Sequence, residues 1–560
     1  MDVSKLNIYN FPPLPAKWDR IGIFFVSFAA AWTTFLLLGM GFCWYNRHLP
    51  ILKIRCLPLF FGSVIFLHLY WCMAQIVYPI GRSMPITIAY TVQYFIMGTW
   101  FPLGIALFHA ANLRFLHVAK LQKRFAVADA VREEARSSSR LPWLRRFHNM
   151  SYTRRVITLI LIGVAIQARM IPFMWVLCEK YHPSFGIPGT EISGATLPQQ
   201  VIDLGRGWEW WPSVVWQFIW TWGVAPFLII RAWNIRDTMG WRTQTIGACL
   251  SGLHATPMFL IASYVPAFNG INAYFPPSQW IHLHTFFLEI ITVFIPAYEV
   301  IKHYMLMKQT EKRRTSWDSE SGQTINMEIP VGGKNASRHG SIAGSSLISE
   351  LKESKVERVL GMATLHRALS ECPAPLLEFS AYSDFSAENI AFLIHVSRWK
   401  DTFHRELEKS AEGEVNLEQR AGDFNSALEI YIQFISARDA EFPLNLSWDQ
   451  LKCLEEIFEG PARIVQGEHG KNAHSPFSFD APLSPDSEQT RVSGNFLIAN
   501  YTGEIPQSFT PTVFDVAEKH IQNLVLRNTW PKFVKDVRIV RTKSISSVSS
   551  YWSGKTQSTL

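Results

Sequence analysis

Charge is scarce in the first 305 residues, where five of seven long apolar runs contain no Asp, Glu, Lys or Arg. That scarcity excludes a soluble fold of amphipathic helices, since runs without a polar face would have to dock beside one another in water. Cysteine is sparse and dispersed. The seven, at positions 43, 56, 72, 178, 249, 372 and 453, show no paired spacing, and none joins His in a cluster; structural disulfides, zinc and other bound metals are not expected. A cleavable leader is also lacking, because the first apolar run is of full span length and follows a polar start, so it should act as a signal anchor. Strand-like alternation is missing from the second half.

What is present is a chain built for two solvents. The apolar runs are Ile21–Tyr45, Leu57–Tyr78, Ile86–Leu113, Val156–Leu177, Trp211–Ile230, Thr245–Tyr264 and Trp280–Ile301. Each has about the 20 residues needed to cross ~30 Å of hydrocarbon at ~1.5 Å per residue. Aromatic anchors mark several ends: Trp208, Trp210 and Trp211 open the fifth run, Trp280 opens the seventh, and Trp44 and Tyr45 close the first. The remaining ~250 residues are polar and helix-patterned, which keeps the mean hydropathy near zero.

Orientation follows from Lys and Arg, which collect in cytoplasmic loops. With the amino terminus outside, the inner segments hold three (Arg47, Lys53, Arg55), eleven (Arg114 to Arg155), three (Arg231, Arg236, Arg242) and five (Lys302, Lys308, Lys312, Arg313, Arg314). The outer ones hold only Lys5, Lys17, Arg20, Arg82, Lys180 and Arg206. The amino terminus is therefore expected outside and the polar half in the cytoplasm. The Asn-x-Ser/Thr patterns at Asn149, Asn335, Asn445 and Asn500 fall on the inner side and read as accidental. The net charge of +8 is accounted for by membrane flanks facing anionic lipid, so no nucleic-acid partner is implied.

Seven spans in this orientation resemble the G-protein-coupled receptor architecture in topology, though not in motif. The inner end of the third span reads Ala111-Asn112-Leu113-Arg114-Phe115, and the seventh has Ile295-Pro296-Ala297-Tyr298 without a preceding Asn; no Cys stands at the outer start of the third span. The resemblance leaves ligand sensing open and does not support receptor-like nucleotide exchange.

Ionisable groups inside the runs cost about 2.5–3.5 kcal/mol each at mid-span, and Arg169 and Glu289 are the two conspicuous cases. Counted back from the outer ends of spans four and seven, both lie roughly 12–14 Å deep, so they are candidates for a pair. His68, His109, His254, His282 and His284, with Gln75, Gln93 and Gln167, are candidates for lining a polar cavity that takes a small molecule or ion. The plainer alternative is that Arg169 snorkels outward alone while the His and Gln side chains tie helices together.

Between spans three and four, Arg114 to Arg155 is rich in helix formers, as in Ala126 to Ala135, and should continue the third helix inward. It is read first as a contact for anionic lipid, with a docking role for the soluble half as the alternative. From about 305 to 348 the chain turns polar and Ser/Gly-rich and reads as a flexible linker. Lys312-Arg313-Arg314-Thr315-Ser316 there resembles a kinase substrate, and 541–560 reads as a Ser-rich disordered tail.

Residues 349–540 read as an all-helical bundle. Ser349 to Ser370 has helical spacing, Ser386 is placed to cap the helix that follows, Phe424 to Ala437 repeats the period, Ser447 is placed to cap Trp448 to Phe458, and Phe514 to Val534 closes the domain. A Pro-, Ser- and Asn-rich stretch at about 460–507 reads as a surface insertion.

Three blocks of this bundle resemble the regulator of G-protein signalling (RGS) family. They are Leu377-Glu378-Phe379 with Asp384 to Ile390, Ala427 to Ile435 with Leu444-Asn445-Leu446, and Phe514 to Ile521 with Leu524 and Trp530-Pro531-Lys532-Phe533. The resemblance implies no catalytic residue in this chain. It implies acceleration of GTP hydrolysis by a GTP-bound Gα subunit, through binding of its switch segments in their transition-state arrangement. By the same resemblance, Asn389 and Asn445 would reach the switch region, flanked by Phe385, Ser386 and Glu388, while Leu524, Asn528, Thr529 and Lys532 would supply the other contact surface. Asn528 stands where an acidic residue is common and Lys532 where Arg is usual, which weakens charge-assisted and bidentate bonding.

Joined, the halves resemble the plant and fungal seven-span RGS proteins. The expected architecture is an all-α chain: an outer segment to residue 20, a seven-helix bundle over 21–304, the linker, and a cytoplasmic RGS bundle. The expected place is the plasma membrane, with an endosomal pool, and no cofactor is expected. The expected role is negative regulation of Gα beside the bilayer, under ligand control if the bundle senses anything. A receptor whose helical half serves as an adaptor is the alternative, and a transporter with a regulatory domain is a more remote one because no internal repeat is evident.

Overall fold

The computed structural model describes residues 7–126, 152–272, 274–321, 359–409, 417–466 and 501–539, and every regular element among them is helical. Two units divide the chain: Met1–His117 with Ser139–Lys302, and Val118–Ser138 with His303–Leu560.

Seven helices are long and apolar enough to cross a membrane, the mark of a multi-pass membrane protein. They are α1 (Arg20–Tyr45), α2 (Leu57–Ile80), α3 (Ile86–Ala126) and α4 (Tyr152–Leu177), followed by three interrupted helices. α5 joins Trp211–Phe218, a π-helical Ile219–Val224 and Ala225–Trp233; α6 joins Trp241–Gly252 and Ala255–Tyr264; α7 joins Gln279–Glu289, a π-helical Ile290–Phe294 and Ile295–Ser321. Both π segments lie just before a proline, Pro226 and Pro296. Proline brings no N–H to the carbonyl one turn upstream, and a widened turn accommodates the unpaired group.

The first unit turns apolar side chains outward as well as inward. Phe24, Phe35, Leu37, Leu38, Leu161, Ile166 and Phe173 are all exposed, a surface suited to lipid. Inside, small residues set the helix spacing, because lipid supplies no hydrophobic drive between helices and close packing must hold them. At Gly104 of α3 an added Cβ would fall 2.6 Å from Leu67 Cγ of α2, and at Gly98 it would fall 2.5 Å from Ile171 Cδ1 of α4.

A separate core holds the second unit together. α8 (Met362–Glu371), α9 (Pro373–Phe379, ending in a π-helical Ser380–Asp384), α10 (Ala387–Lys409), α11 (Leu417–Ile430, ending in a π-helical Tyr431–Ile435), α12 (Trp448–Gln466), α13 (Asp515–Arg527) and α14 (529–539) surround it. Its centre is aromatic: Phe458 stacks on Phe514 at 5.7 Å, and Phe424 meets Phe509 edge-on at 5.1 Å. Ser447 caps α12 through a reciprocal box, its hydroxyl accepting from the Gln450 N–H at 3.4 Å while Gln450 Oε1 accepts from the Ser447 N–H at 3.1 Å.

Several boundaries differ from the expected ones. α7 continues to Ser321, so the start of the expected linker is helix; Met, Leu, Lys, Gln, Glu and Arg dominate there, and all are good helix formers. α12 runs through Pro461 to Gln466, into the stretch expected to be an insertion. The other end of that stretch is anchored, since Phe509 is buried and Tyr501 and Ile505 pack on the core. The second unit also begins earlier than 305, because it takes in the last turns of α3 from Val118. The remainder of the linker, the rest of the basic segment beyond Ala126, the middle of the insertion and the Ser-rich tail lie outside the described residues, as do the side chains of Thr315 and Ser316.

Candidate partner-binding surface

The site begins with a backbone irregularity. The π turn at the end of α9 delivers Phe385 in the left-handed region, at φ 48° and ψ 43°, before α10 starts. A non-glycine residue there costs roughly 1–2 kcal/mol, and burial of the Phe385 ring, 3% exposed, holds it in place. The turn fixes Asp384 at full burial, pointing at residues from the far end of the chain.

Asp384 is the hub. Its Oδ2 accepts from the hydroxyls of Thr529 at 2.8 Å and Ser386 at 2.9 Å, and its Oδ1 pairs with Lys532 Nζ at 2.8 Å. Asn528 breaks the last helical run: its N–H bonds back to Leu524 O at 3.0 Å, and α14 then presents Thr529 and Lys532 inward. Three of the residues singled out from sequence, Ser386, Thr529 and Lys532, are thus brought together around a carboxylate that was not.

Ser386 stands at the cap position of α10, but its hydroxyl is committed to Asp384 and does not cap the helix. Gln122, from the end of α3 and within the same unit, serves the first amide of that helix. Its Oε1 accepts from the Ala387 N–H at 3.0 Å, and its Nε2 donates to Glu388 Oε2 at 3.0 Å. Asn389 Nδ2 donates to Glu388 Oε1 at 3.1 Å, while Asn389 Oδ1 is buried with no partner. Asn528 Oδ1 is likewise buried and unpaired. Buried acceptors without a donor are uncommon in folded proteins, and each calls for an explanation.

Other nominated residues lie apart from this hub. Leu524 packs partly buried on the core. Asn445 follows α11, where its carbonyl accepts from His520 Nε2 at 3.0 Å, which ties this loop to α13. Lys400 joins α10 to α13 by bonding Asp515 and Glu518; burial opposes its charge, but the two carboxylates prevail and raise its pKa.

In the first unit the nominated pair is not formed. Glu289 is fully buried in α7 and accepts from Trp32 Nε1 at 2.6 Å, while its other oxygen meets His68 Nδ1 at 3.2 Å. His68 Nε2 lies 2.9 Å from the Thr33 hydroxyl and 3.3 Å from Cys72 Sγ. Arg169 is exposed on α4. Equal depth was a necessary condition for the pair and not a sufficient one, because helix rotation turns Glu289 inward and Arg169 outward. Gln167 is buried and reaches Ser213 at 3.4 Å, Gln75 reaches Gln279 at 3.5 Å, and Gln93 bonds its own helix at Ala89 O. His109, His282 and His284 are buried as well. Among the described residues no group of three His, Cys, Asp or Glu is arranged to hold a metal ion.

Sequence reasoning missed Asp384 and Gln122 as site residues. Asp384 carried a signal, standing inside the first RGS-like block; Gln122 carried none, being one polar residue in a basic stretch. No protein-family profile, curated protein or solved structure matches the chain.

Proposed function

We propose that the protein is a membrane-anchored accelerator of GTP hydrolysis on G-protein α subunits, with the second unit as an RGS-type bundle. The observation that carries this reading is the meeting, around Asp384, of two sequence blocks 145 residues apart. Each block was singled out by the same resemblance.

The chain performs no bond chemistry in this reading. Its surface holds the Gα switch segments in the arrangement that hydrolysis requires, so the stabilisation appears only in the transition state. An Asn carboxamide such as that of Asn389 offers both an acceptor and donors, which suits it to orienting the glutamine that positions the attacking water. The spans hold the accelerator beside lipid-attached Gα and raise its effective concentration without adding a contact. The amino terminus is then outside the plasma membrane and the second unit in the cytoplasm.

Single-turnover GTP hydrolysis by candidate Gα subunits tests this with the fragment 349–540, which contains every fully buried member of the second core. Faster turnover is expected, and Asn389→Ala should remove roughly 10- to 100-fold of it, as loss of one or two well-oriented hydrogen bonds would. A fragment without effect on any Gα overturns the reading. A receptor-like reading, with the helical unit as an adaptor, is favoured by the buried Glu289–His68–Trp32 cluster, which has the polarity of a sensing site; it predicts an inert fragment.

A further inference from the structure

We infer that the last turns of α3 are a built-in plug on the surface proposed to receive Gα, so that the accelerator rests closed until Gln122 leaves the N-terminus of α10. The inference rests on the accelerator reading and adds regulation to the same surface.

Four observations carry it. Gln122 is fully buried, although it belongs to a basic stretch that the sequence presents as a lipid contact. Its carboxamide makes two different bonds at once, accepting from the first amide of α10 and donating to Glu388. A carboxamide suits both: a carboxylate there would repel Glu388, and an ammonium has nothing with which to accept. The Ser386 hydroxyl is engaged by Asp384 and Thr529, and Gln122 supplies the acceptor at the first amide of α10.

Neighbouring side chains extend the contact. Phe125 packs on the core between Phe434 and Phe442, at ring distances of 6.4 and 6.3 Å, and Lys123 Nζ lies 5.4 Å over the Tyr382 ring. Asn389, whose amide bonds the same Glu388 that Gln122 holds, is only 7% exposed. A Gα that engages Glu388 and Asn389 must first displace Gln122. Because α3 is one unbroken helix from Ile86 to Ala126, rotation or axial shift of its apolar stretch carries Gln122 with it. A ligand that binds two settings of α3 unequally would therefore change the fraction of open accelerator.

The test uses the full chain in phosphatidylcholine/phosphatidylserine nanodiscs, as wild type, Gln122→Met and Phe125→Ala. Met keeps the length and helix propensity of Gln and removes both bonds; the Phe125 variant loosens the same contact without touching it. Single-turnover hydrolysis is measured with a panel of GTP-loaded Gα subunits, and amide exchange is followed at 387–390. Release of the plug should speed hydrolysis roughly 5- to 30-fold over wild type and speed exchange at the Ala387 amide, while the core helices keep their protection. If all three proteins accelerate hydrolysis equally, the plug is refuted and the accelerator reading stands. If none affects any Gα, both fall. Exchange at Ala387 as fast in wild type as in Gln122→Met also refutes the plug.

Discussion

Replacing Asp384 should unseat the surface and the fold of the second unit together. The carboxylate is fully buried, and its partner Lys532 keeps only 13% of its side chain exposed, so neither charge is screened by water. Removing one member of a buried pair leaves the other uncompensated, at about 3–5 kcal/mol. Asp384→Ala also strips the acceptor from Thr529 and Ser386, which places the expected loss toward the upper end. For a domain of this size each kcal/mol moves Tm by about 2–4 °C, so a fall of roughly 6–20 °C is expected. Lys532→Met should cost less, since Asp384 keeps two hydroxyl donors. The double substitution Asp384→Ala with Lys532→Met should lose less than the sum of its parts by about 1–3 kcal/mol, the signature of a coupled pair. Urea unfolding of the 349–540 fragment measures all four proteins. A loss under about 0.5 kcal/mol for Asp384→Ala, the range of ordinary surface changes, would refute the buried hub.

Two further outcomes follow from the structure. Glu289→Ala leaves Trp32 and His68 without their partner and should lower the melting temperature of the detergent-solubilised chain by the equivalent of about 1–3 kcal/mol; an Arg169→Glu, Glu289→Arg double swap should not rescue it, and rescue would show that the two do meet. Burial, with Arg398 nearby, holds His395 in α10 down at about 4 from the usual 6.5, so between these values the unfolded chain binds more protons than the folded one. Stability of the second unit should therefore fall as pH drops through that window, by up to about 2 kcal/mol at pH 5 from this group. Urea titrations at pH 7.5 and 5 check it, and an equal drop in His395→Phe would dismiss His395 as the cause.

The parts of the fold that were legible in sequence are those that a local pattern encodes. Seven long apolar runs, five of them without charge, read as spans, and apolar residues at helical spacing read as helices, so α1 to α7 and α10 to α13 lie close to where the pattern placed them. The Ser447 box was equally readable, because its partner stands three residues away. Where composition and propensity disagreed, at 305–321, Ser and Thr suggested a linker while the intervening Lys, Glu and Arg favoured helix; the helix prevails there as a continuation of α7.

The nominated surface was legible only as a set of residues, and its wiring was not. Sequence placed a helix start at Ser386 and read Phe514 to Val534 as one run, so the break at Asn528 and the helix ends it creates were not foreseen. Only tertiary structure decided that Asp384 draws these ends together, that Glu289 turns to His68 and Trp32 instead of Arg169, and that Gln122 caps a helix 265 residues away. The physical reason is common to all three. Depth and periodicity are properties of one helix and can be counted along it, whereas the direction in which a side chain points depends on how neighbouring helices rotate to fill their shared core.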